Sequence, residues 1–334
     1  SELPPGGELA GAVAFQLHDT YGFTLDVTSE IVADRGYGLD RDGFEAAMAD
    51  QRRRAREAGK KGGLEVGVHA DAVQAVLDAH GTTEFVGRDV DHVEATVVGV
   101  VPGDDGTVGV FLDRTPFYAE SGGQVGDTGT LTGVGNAFRG TVLDTVNALP
   151  GLHRHVVRVE AGEVAVGDRI DAAIDVHRRS AIRRNHTGTH LLHWALREVL
   201  GSHVKQQGSW VGPDRLRFDF SHFEAVTPEQ IVAIEDLVNQ DVLANDVVRH
   251  FETSKEEATS RGAIAFFGEK YGDVVRVLEA GPHSVELCGG THVSRTGDIG
   301  PVKVISETSI GSNLRRIEAV TGTGPIERIR REEA

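Results

Sequence analysis

Between about residues 85 and 176 apolar and polar positions alternate with a period of two, in short and evenly spaced runs. Ala95-Thr96-Val97-Val98-Gly99-Val100-Val101 and Val108-Gly109-Val110-Phe111-Leu112 flank Pro102-Gly103-Asp104-Asp105-Gly106. Turn residues between two strand-like runs predict a hairpin. Residues 154–159 and 169–174 read as further strands, and Gly-rich turns such as Ser121-Gly122-Gly123-Gln124-Val125-Gly126-Asp127 recur between the runs. Many short strands at even spacing predict a small closed antiparallel β-barrel.

On either side the period lengthens. Residues 1–84 read as polar and helical, with a short helix over 10–16 and a second from about 42 to 59 whose apolar face is Phe44 and Met48. The second half of that helix, Arg52-Arg53-Arg54-Ala55-Arg56, is basic: a solvated face or an RNA-facing patch. From 178 onward the pattern is α+β. A helix over 178–200 carries Leu191, Leu192, Trp194, Ala195 and Val199 on its apolar side and stops at Gly201. Thr227-Pro228-Glu229-Gln230 is a capping box with Pro at the first helical position, and Ser254-Lys255-Glu256-Glu257 reads as another. Strand-like runs follow at 274–278, 285–287, 302–306 and 314–320. The expected fold class is α+β, divided into a helical segment (1–84), a barrel (85–177), an α+β domain (178–323) and the start of a helix (324–334).

Composition narrows the function classes. The chain has 334 residues and a net charge of −17, with 51 acidic residues against 34 basic ones, which disfavours indiscriminate nucleic-acid binding but allows a local basic groove. No apolar run approaches the ~18 residues of a membrane span. Cys288 is the only cysteine, so no intrachain disulfide is possible and a cytoplasmic location is the default. The start lacks the basic and apolar regions of a signal peptide. It also lacks an initiator Met, as a piece of a longer chain would.

The candidate chemistry lies in two short runs. His186 and His190 stand at i, i+4 on the expected helix, so both imidazoles emerge on one face. Cys288-Gly289-Gly290-Thr291-His292 adds a thiol and an imidazole across a tight turn. Either half alone is weak evidence. Together, three His and one Cys suit tetrahedral Zn(2+). No Glu follows His186, so the general base of a zinc protease is missing. Four protein ligands would fill a tetrahedral ion. The metal is then structural, expands its coordination, or orients a substrate while another group activates water. A Cys288 thiolate with three neutral imidazoles would leave the zinc site with a net charge of one positive unit. Two basic runs, His177-Arg178-Arg179-Ser180-Ala181-Ile182-Arg183-Arg184 and Gly311-Ser312-Asn313-Leu314-Arg315-Arg316, are candidates to hold phosphates. Pairing with the abundant carboxylates is the alternative.

Six runs resemble alanyl-tRNA synthetase of the bacterial type. They are Leu17-His18-Asp19-Thr20-Tyr21-Gly22-Phe23, Pro116-Phe117-Tyr118-Ala119-Glu120-Ser121-Gly122-Gly123-Gln124, Asn185-His186-Thr187-Gly188-Thr189-His190-Leu191-Leu192, Arg217-Phe218-Asp219-Phe220-Ser221-His222, Glu286-Leu287-Cys288-Gly289-Gly290-Thr291-His292 and Arg315-Arg316-Ile317-Glu318-Ala319-Val320-Thr321-Gly322. They cover nearly the whole chain in the family's order. Thr24 departs from the pattern, which usually has Pro there.

The resemblance implies the tail of the helical tRNA-recognition domain, then the barrel, then an editing domain of the alanyl/threonyl-tRNA synthetase type. The aminoacylation domain, which uses ATP and Mg(2+), would precede residue 1, and the coiled-coil and dimerisation region would follow Ala334. The implied activity is aminoacyl-tRNA deacylation, hydrolysis of serine or glycine wrongly esterified to tRNA(Ala), with the acceptor end of that tRNA as partner. A pocket built for alanine cannot strongly reject a smaller residue or one with an added hydroxyl, hence a second hydrolytic sieve. The implied zinc ligands are His186, His190, Cys288 and His292, with Cys288 and Gln206 as catalytic candidates. Gln206 falls where the family has a glutamine needed for editing. Thr187, Thr189, Arg183, Arg184, Arg315 and Arg316 are candidates to contact the substrate. Three readings stay beside this one: a free-standing trans-editing deacylase, an RNA-binding module with a structural zinc, and a zinc hydrolase of small esters.

Overall fold

The period-two segment forms six strands in the computed structural model, which describes residues 7–15, 28–29, 32–33, 35, 37–41, 43–44, 69–264 and 272–333. They are β1 (His92–Pro102), β2 (Val108–Leu112), β3 (Gly129–Gly133), β4 (Arg139–Leu149), β5 (Leu152–Ala161) and β6 (Arg169–Ile174). They close into a barrel in the order β6-β1-β2-β5-β4-β3, every neighbour antiparallel. The expected hairpin is β1–β2, with Val100 opposite Val110 and Pro102 opposite Val108. Its turn is made by Asp105 (φ 50°) and Gly106 (φ 75°), left-handed conformations that suit these residue types. Alternate side chains, among them Val97, Val110, Leu131, Val142, Val157 and Ile170, fill the interior.

His155 is the polar exception inside. Its Nδ1–H donates to the Val110 carbonyl at 2.9 Å, which leaves Nε2 to accept from the Thr115 hydroxyl at 2.7 Å. The helix α1 (Ala70–His80) covers the barrel's flank by laying Val73, Val76 and Leu77 against Val101 and Phe111.

The α+β part is built on α2 (Val176–Leu200), capped by Asp175, whose carboxylate accepts from Arg178 N at 3.0 Å. After it come β7 (Gln206–Val211), β8 (Leu216–Ser221), α3 (Pro228–Ala244), β9 (Val248–Ser254), α4 (Lys255–Ser260), β10 (Val274–Ala280), β11 (Ser284–Leu287), β12 (Lys303–Gly311), β13 (Leu314–Val320) and α5 (Gly324–Glu332). The strands form two sheets, β7-β8-β13-β12 and β9-β10-β11. Leu191, Leu192, Ala195 and Leu196 of α2 pack with Phe218 and Phe220 of β8 and Ile234 and Val238 of α3 in one core. The Thr227 capping box is complete: Gln230 N donates to the hydroxyl, and Thr227 N to the Gln230 side chain. At Ser254 only the forward half is present, because the Glu257 carboxylate is taken by Arg261 Nε at 2.8 Å.

The chain divides into two compact units. The second comprises His69–Phe220, Val226–Glu307 and Ile317–Ala334, and so holds the barrel and most of the α+β part. The first comprises Ser1–Val68, Ser221–Ala225 and Thr308–Arg316. In it Glu8–Leu9 pairs in parallel with Gly38–Leu39, and the Asp40 carboxylate accepts from Gly11 N and Gly43 N. The run from Leu17 to Phe23 and most of the expected helix over 42–59, its arginines included, lie outside the described residues. No described helix is long and apolar enough to cross a membrane.

Arg178 and Arg179 at the start of α2 oppose the helix dipole, which favours negative charge there. The structure offsets them. Arg179 is fully buried, its guanidinium on both Asp127 oxygens and on the carbonyls of Gly87 (2.6 Å) and Pro116 (2.8 Å). Arg178 donates to Gly126 O at 2.7 Å. These residues fasten the helix to the loops around the barrel, and Arg179 therefore faces no phosphate.

Candidate metal centre

His186 and His190 project from one face of α2, their rings stacked with centroids 5.2 Å apart. The loop after β11 returns Cys288 and His292 to that face. One ligand atom from each of the four lies within 4.8 Å of the others. The Cys288 Sγ is 3.5 Å from His186 Nε2 and 3.2 Å from His292 Nε2. The edge of a tetrahedral zinc with ordinary Zn–S and Zn–N bonds is about 3.6 Å for such a pair, so the donor set fits the ion.

The other ring nitrogens are also held. His186 Nδ1 is 2.8 Å from Gln124 Oε1, His190 Nδ1 meets Glu286 Oε2, and His292 Nδ1 is 3.2 Å from Thr187 Oγ1. Each acceptor fixes an Nδ1–H tautomer and turns Nε2 inward, the outer-shell arrangement of metal-binding histidines. The Thr187 hydroxyl itself donates to Arg183 O at 2.9 Å, as helix Thr side chains do. Glu286 also takes Nδ1 of His193 at 2.7 Å, and both residues are buried.

Gln124 reaches the centre from the Gly-rich loop before β3. That loop is zipped to the end of β7 by Val211 N to Gly123 O (2.7 Å) and Val125 N to Val211 O (3.1 Å). Gly123 (φ 84°) permits the approach, since a Cβ there would stand 2.5 Å from Ser209 O. The Gln124 oxygen accepts from Thr291 N (2.9 Å) as well, and its amide donates to the Thr291 hydroxyl (3.0 Å). One buried side chain thus serves both halves of the ligand set.

Charge follows the same geometry. Burial alone would raise the Cys288 thiol, but His186, His292 and His190 hold it well below the usual thiol range. Burial pushes His292 down to about 3, against the pull of Cys288. For His190 burial is outweighed by Glu286 and Cys288, which raise it, and for Glu286 the neighbouring His190 and His193 outweigh burial and lower it. With Glu286 ionised beside the ligands, the total for a divalent ion, the Cys288 thiolate and this carboxylate would be zero, one unit below that of the ion and its four ligands alone.

The centre opens into a cleft of about 280 Å³. Gln206 and Ser209 of β7, Thr189, Phe218, Tyr118 and Arg276 are among its walls. Gln206 and Thr189 are thus brought to the candidate ligands, although the Thr189 hydroxyl bonds to Asn185 O at 2.8 Å. Thr187 is spent on His292 and Val293 N rather than on the cleft. Arg183 is half-buried and 3.4 Å from Gly87 O, while Arg184 packs against Gly322. Arg315 and Arg316, half-buried at the start of β13, belong to the first unit.

Sequence reasoning missed the roles of Gln124, Glu286, His193 and Arg276. One signal was available: Glu286 stands two residues before Cys288 at the end of a strand, and period two puts both on one face.

The family model described as tRNA synthetases class II (A) matches residues 1–178. The one for the threonyl and alanyl tRNA synthetase second additional domain matches residues 275–318. An alanine–tRNA ligase of Halorhodospira halophila is 50% identical over 95% of this chain and 36% of its own length. One from Xanthomonas campestris is 49% identical over 97% of this chain and 37% of its own. The chain thus spans just over a third of the length of these relatives. With the barrel, the second additional domain and the His/His/Cys/His group in one chain, it belongs to the alanyl-tRNA synthetase family of class II tRNA synthetases.

Proposed function

We propose that this chain is the editing part of an alanyl-tRNA synthetase and hydrolyses the ester of serine or glycine on the terminal adenosine of tRNA(Ala). The observation that carries the reading is the His186/His190/Cys288/His292 group opening into a polar cleft, in a chain of this family. The four side chains would hold Zn(2+), which would supply local positive charge to orient the ester.

The chain's own groups do the rest. Gln206 and Ser209 stand on a strand whose end is pinned to the Gly-rich loop, and both line the cleft that the ligands open into. On this reading they orient the ester and a water against it. Acceptors at Gln124, Glu286 and Thr187 keep the imidazole protons off the metal-facing nitrogens. A cleft that hydrogen-bonds the serine hydroxyl would leave a polar group unpaired with alanine, at a cost of about 1–3 kcal/mol. The whole protein would attach alanine to tRNA(Ala) using ATP and Mg(2+), in the cytoplasm.

The test pairs metal analysis with deacylation of Ser-tRNA(Ala) and Gly-tRNA(Ala). Zinc near one per chain together with hydrolysis supports the reading. Zinc without hydrolysis favours an RNA-binding module with a structural metal.

A further inference from the structure

Two arginines outside both basic runs of the sequence meet at the Cys288–Gly290 loop beside the cleft. Arg276, on β10, donates through Nη1 to Cys288 O at 2.7 Å and Gly290 O at 3.0 Å. Arg88 donates through Nη2 to Gly289 O at 3.3 Å and lies over the Phe85 ring, 5.1 Å from its centroid. The pair brackets three consecutive carbonyls of the loop that carries the thiol. These bonds occupy one terminal nitrogen of each guanidinium. The Nε atoms of both are buried and make no hydrogen bond within the described residues.

Some arginines of this chain are matched by carboxylates, while others, such as Arg154 and Arg183, also keep a buried Nε without a hydrogen bond within the described residues. Arg179 is matched by Asp127, Arg215 by Glu318 and Arg261 by Glu257. Among the described residues no carboxylate forms an ion pair with Arg88 or Arg276, in a chain with 51 acidic residues. His250 is lowered by burial and by the same two arginines, with Asp89 opposing. Two like charges side by side in partly buried surroundings are unfavourable until an anion joins them.

We infer that Arg88 and Arg276 form an anion subsite beside the metal ligands, and that its ligand is a nucleotide phosphate. On the editing reading, on which this identification of the ligand rests, it is the phosphate on the 5′ side of the terminal adenosine. Arg276 lines the same cleft as Cys288, Gly289 and Gly290. Two residues of chain span at most about 7 Å, the scale of one nucleotide. A nucleoside whose 3′ ester lies at the centre is therefore long enough to reach the pair with its 5′ phosphate. Guanidinium forks suit phosphate oxygens, and the contact is blind to base identity.

The test compares adenosine 5′-monophosphate with adenosine by calorimetric titration of the whole chain at low salt, with zinc content measured on every preparation. The unsubstituted chain should bind the monophosphate about tenfold more tightly or better, the equivalent of one charge-assisted contact. Inorganic phosphate should weaken the monophosphate and leave adenosine unchanged. Arg88→Ala and Arg276→Ala should each bring the ratio close to one, while Arg276→Lys keeps part of it. Arg276→Ala removes two bonds to the thiol loop and can shed metal, whereas Arg88→Ala loses one 3.3 Å bond to that loop and its contact with Phe85, and decides the matter. Equal binding of the two ligands by the unsubstituted chain, or a ratio that survives Arg88→Ala, overturns the subsite. A preserved ratio with no deacylation of Ser-tRNA(Ala) sinks the hydrolytic reading and leaves the subsite standing.

Discussion

The Gln124 Oε1 atom sits 2.8 Å from His186 Nδ1 and 2.9 Å from Thr291 N, so one amide from a loop before β3 couples the helix ligands to the thiol loop. The barrel segment therefore contributes directly to the metal centre. A domain boundary drawn at residue 177 would remove that contribution.

Gln124→Leu should weaken zinc binding about 10–100-fold, the usual effect of losing an outer-shell partner. Competition with a chromophoric chelator measures it. An unchanged affinity would mean that His186 is oriented by packing alone.

Gly290 and Gly289 should behave differently. A Cβ at Gly290 would stand 2.2 Å from His186 Cε1 and 2.8 Å from Gln124 Oε1, whereas one at Gly289 meets nothing within 4 Å. Gly290→Ala should lose zinc and Gly289→Ala should keep it. Metal content of the two purified variants checks this.

Cys288→Ala should give a folded, metal-poor protein that barely deacylates Ser-tRNA(Ala). The α2–β8–α3 core is apolar and complete without the thiol, which only packs against its edge. If the melting transition disappears along with the metal, zinc holds the fold. A folded, zinc-free variant working at the parental rate would remove the metal from both roles.

Arg179→Met should lower stability by about 3–5 kcal/mol, because it strands the buried Asp127 carboxylate. Below its melting temperature the variant should keep the parental salt dependence of tRNA binding. Arg183→Ala and Arg316→Ala are instead expected each to flatten the slope of log K on log salt by a little under one. Filter binding across a salt series separates the two behaviours.

His155 should make the barrel acid-sensitive. Burial pushes it down to about 4 from an ordinary 6.5, so the folded state keeps it neutral while the unfolded chain takes up the proton. Stability is therefore full above pH 6.5 and falls as the pH drops toward 4, by roughly 3 kcal/mol at most. His155→Asn, which cannot titrate there, should flatten that part of the curve in denaturant titrations at several pH values. An unaltered slope would assign the acid sensitivity to other groups.

Features set by neighbouring residues were legible in the sequence. Alternation marked the barrel strands, turn residues marked the β1–β2 hairpin, and Thr227 with Gln230 marked the start of α3. The four-residue ligand group was legible too, because i, i+4 spacing puts His186 and His190 on one face and the chain has a single thiol. Tertiary structure alone decided the rest. Nothing local distinguishes Arg179, buried on Asp127, from Arg183 four residues on. Gln124 lies 62 residues from the histidine it orients, and Arg88 lies 201 residues from the carbonyl it holds. Such contacts depend on where loops cross, and burial then sets the role of each charged or polar side chain. A short-range pattern carries no information about either.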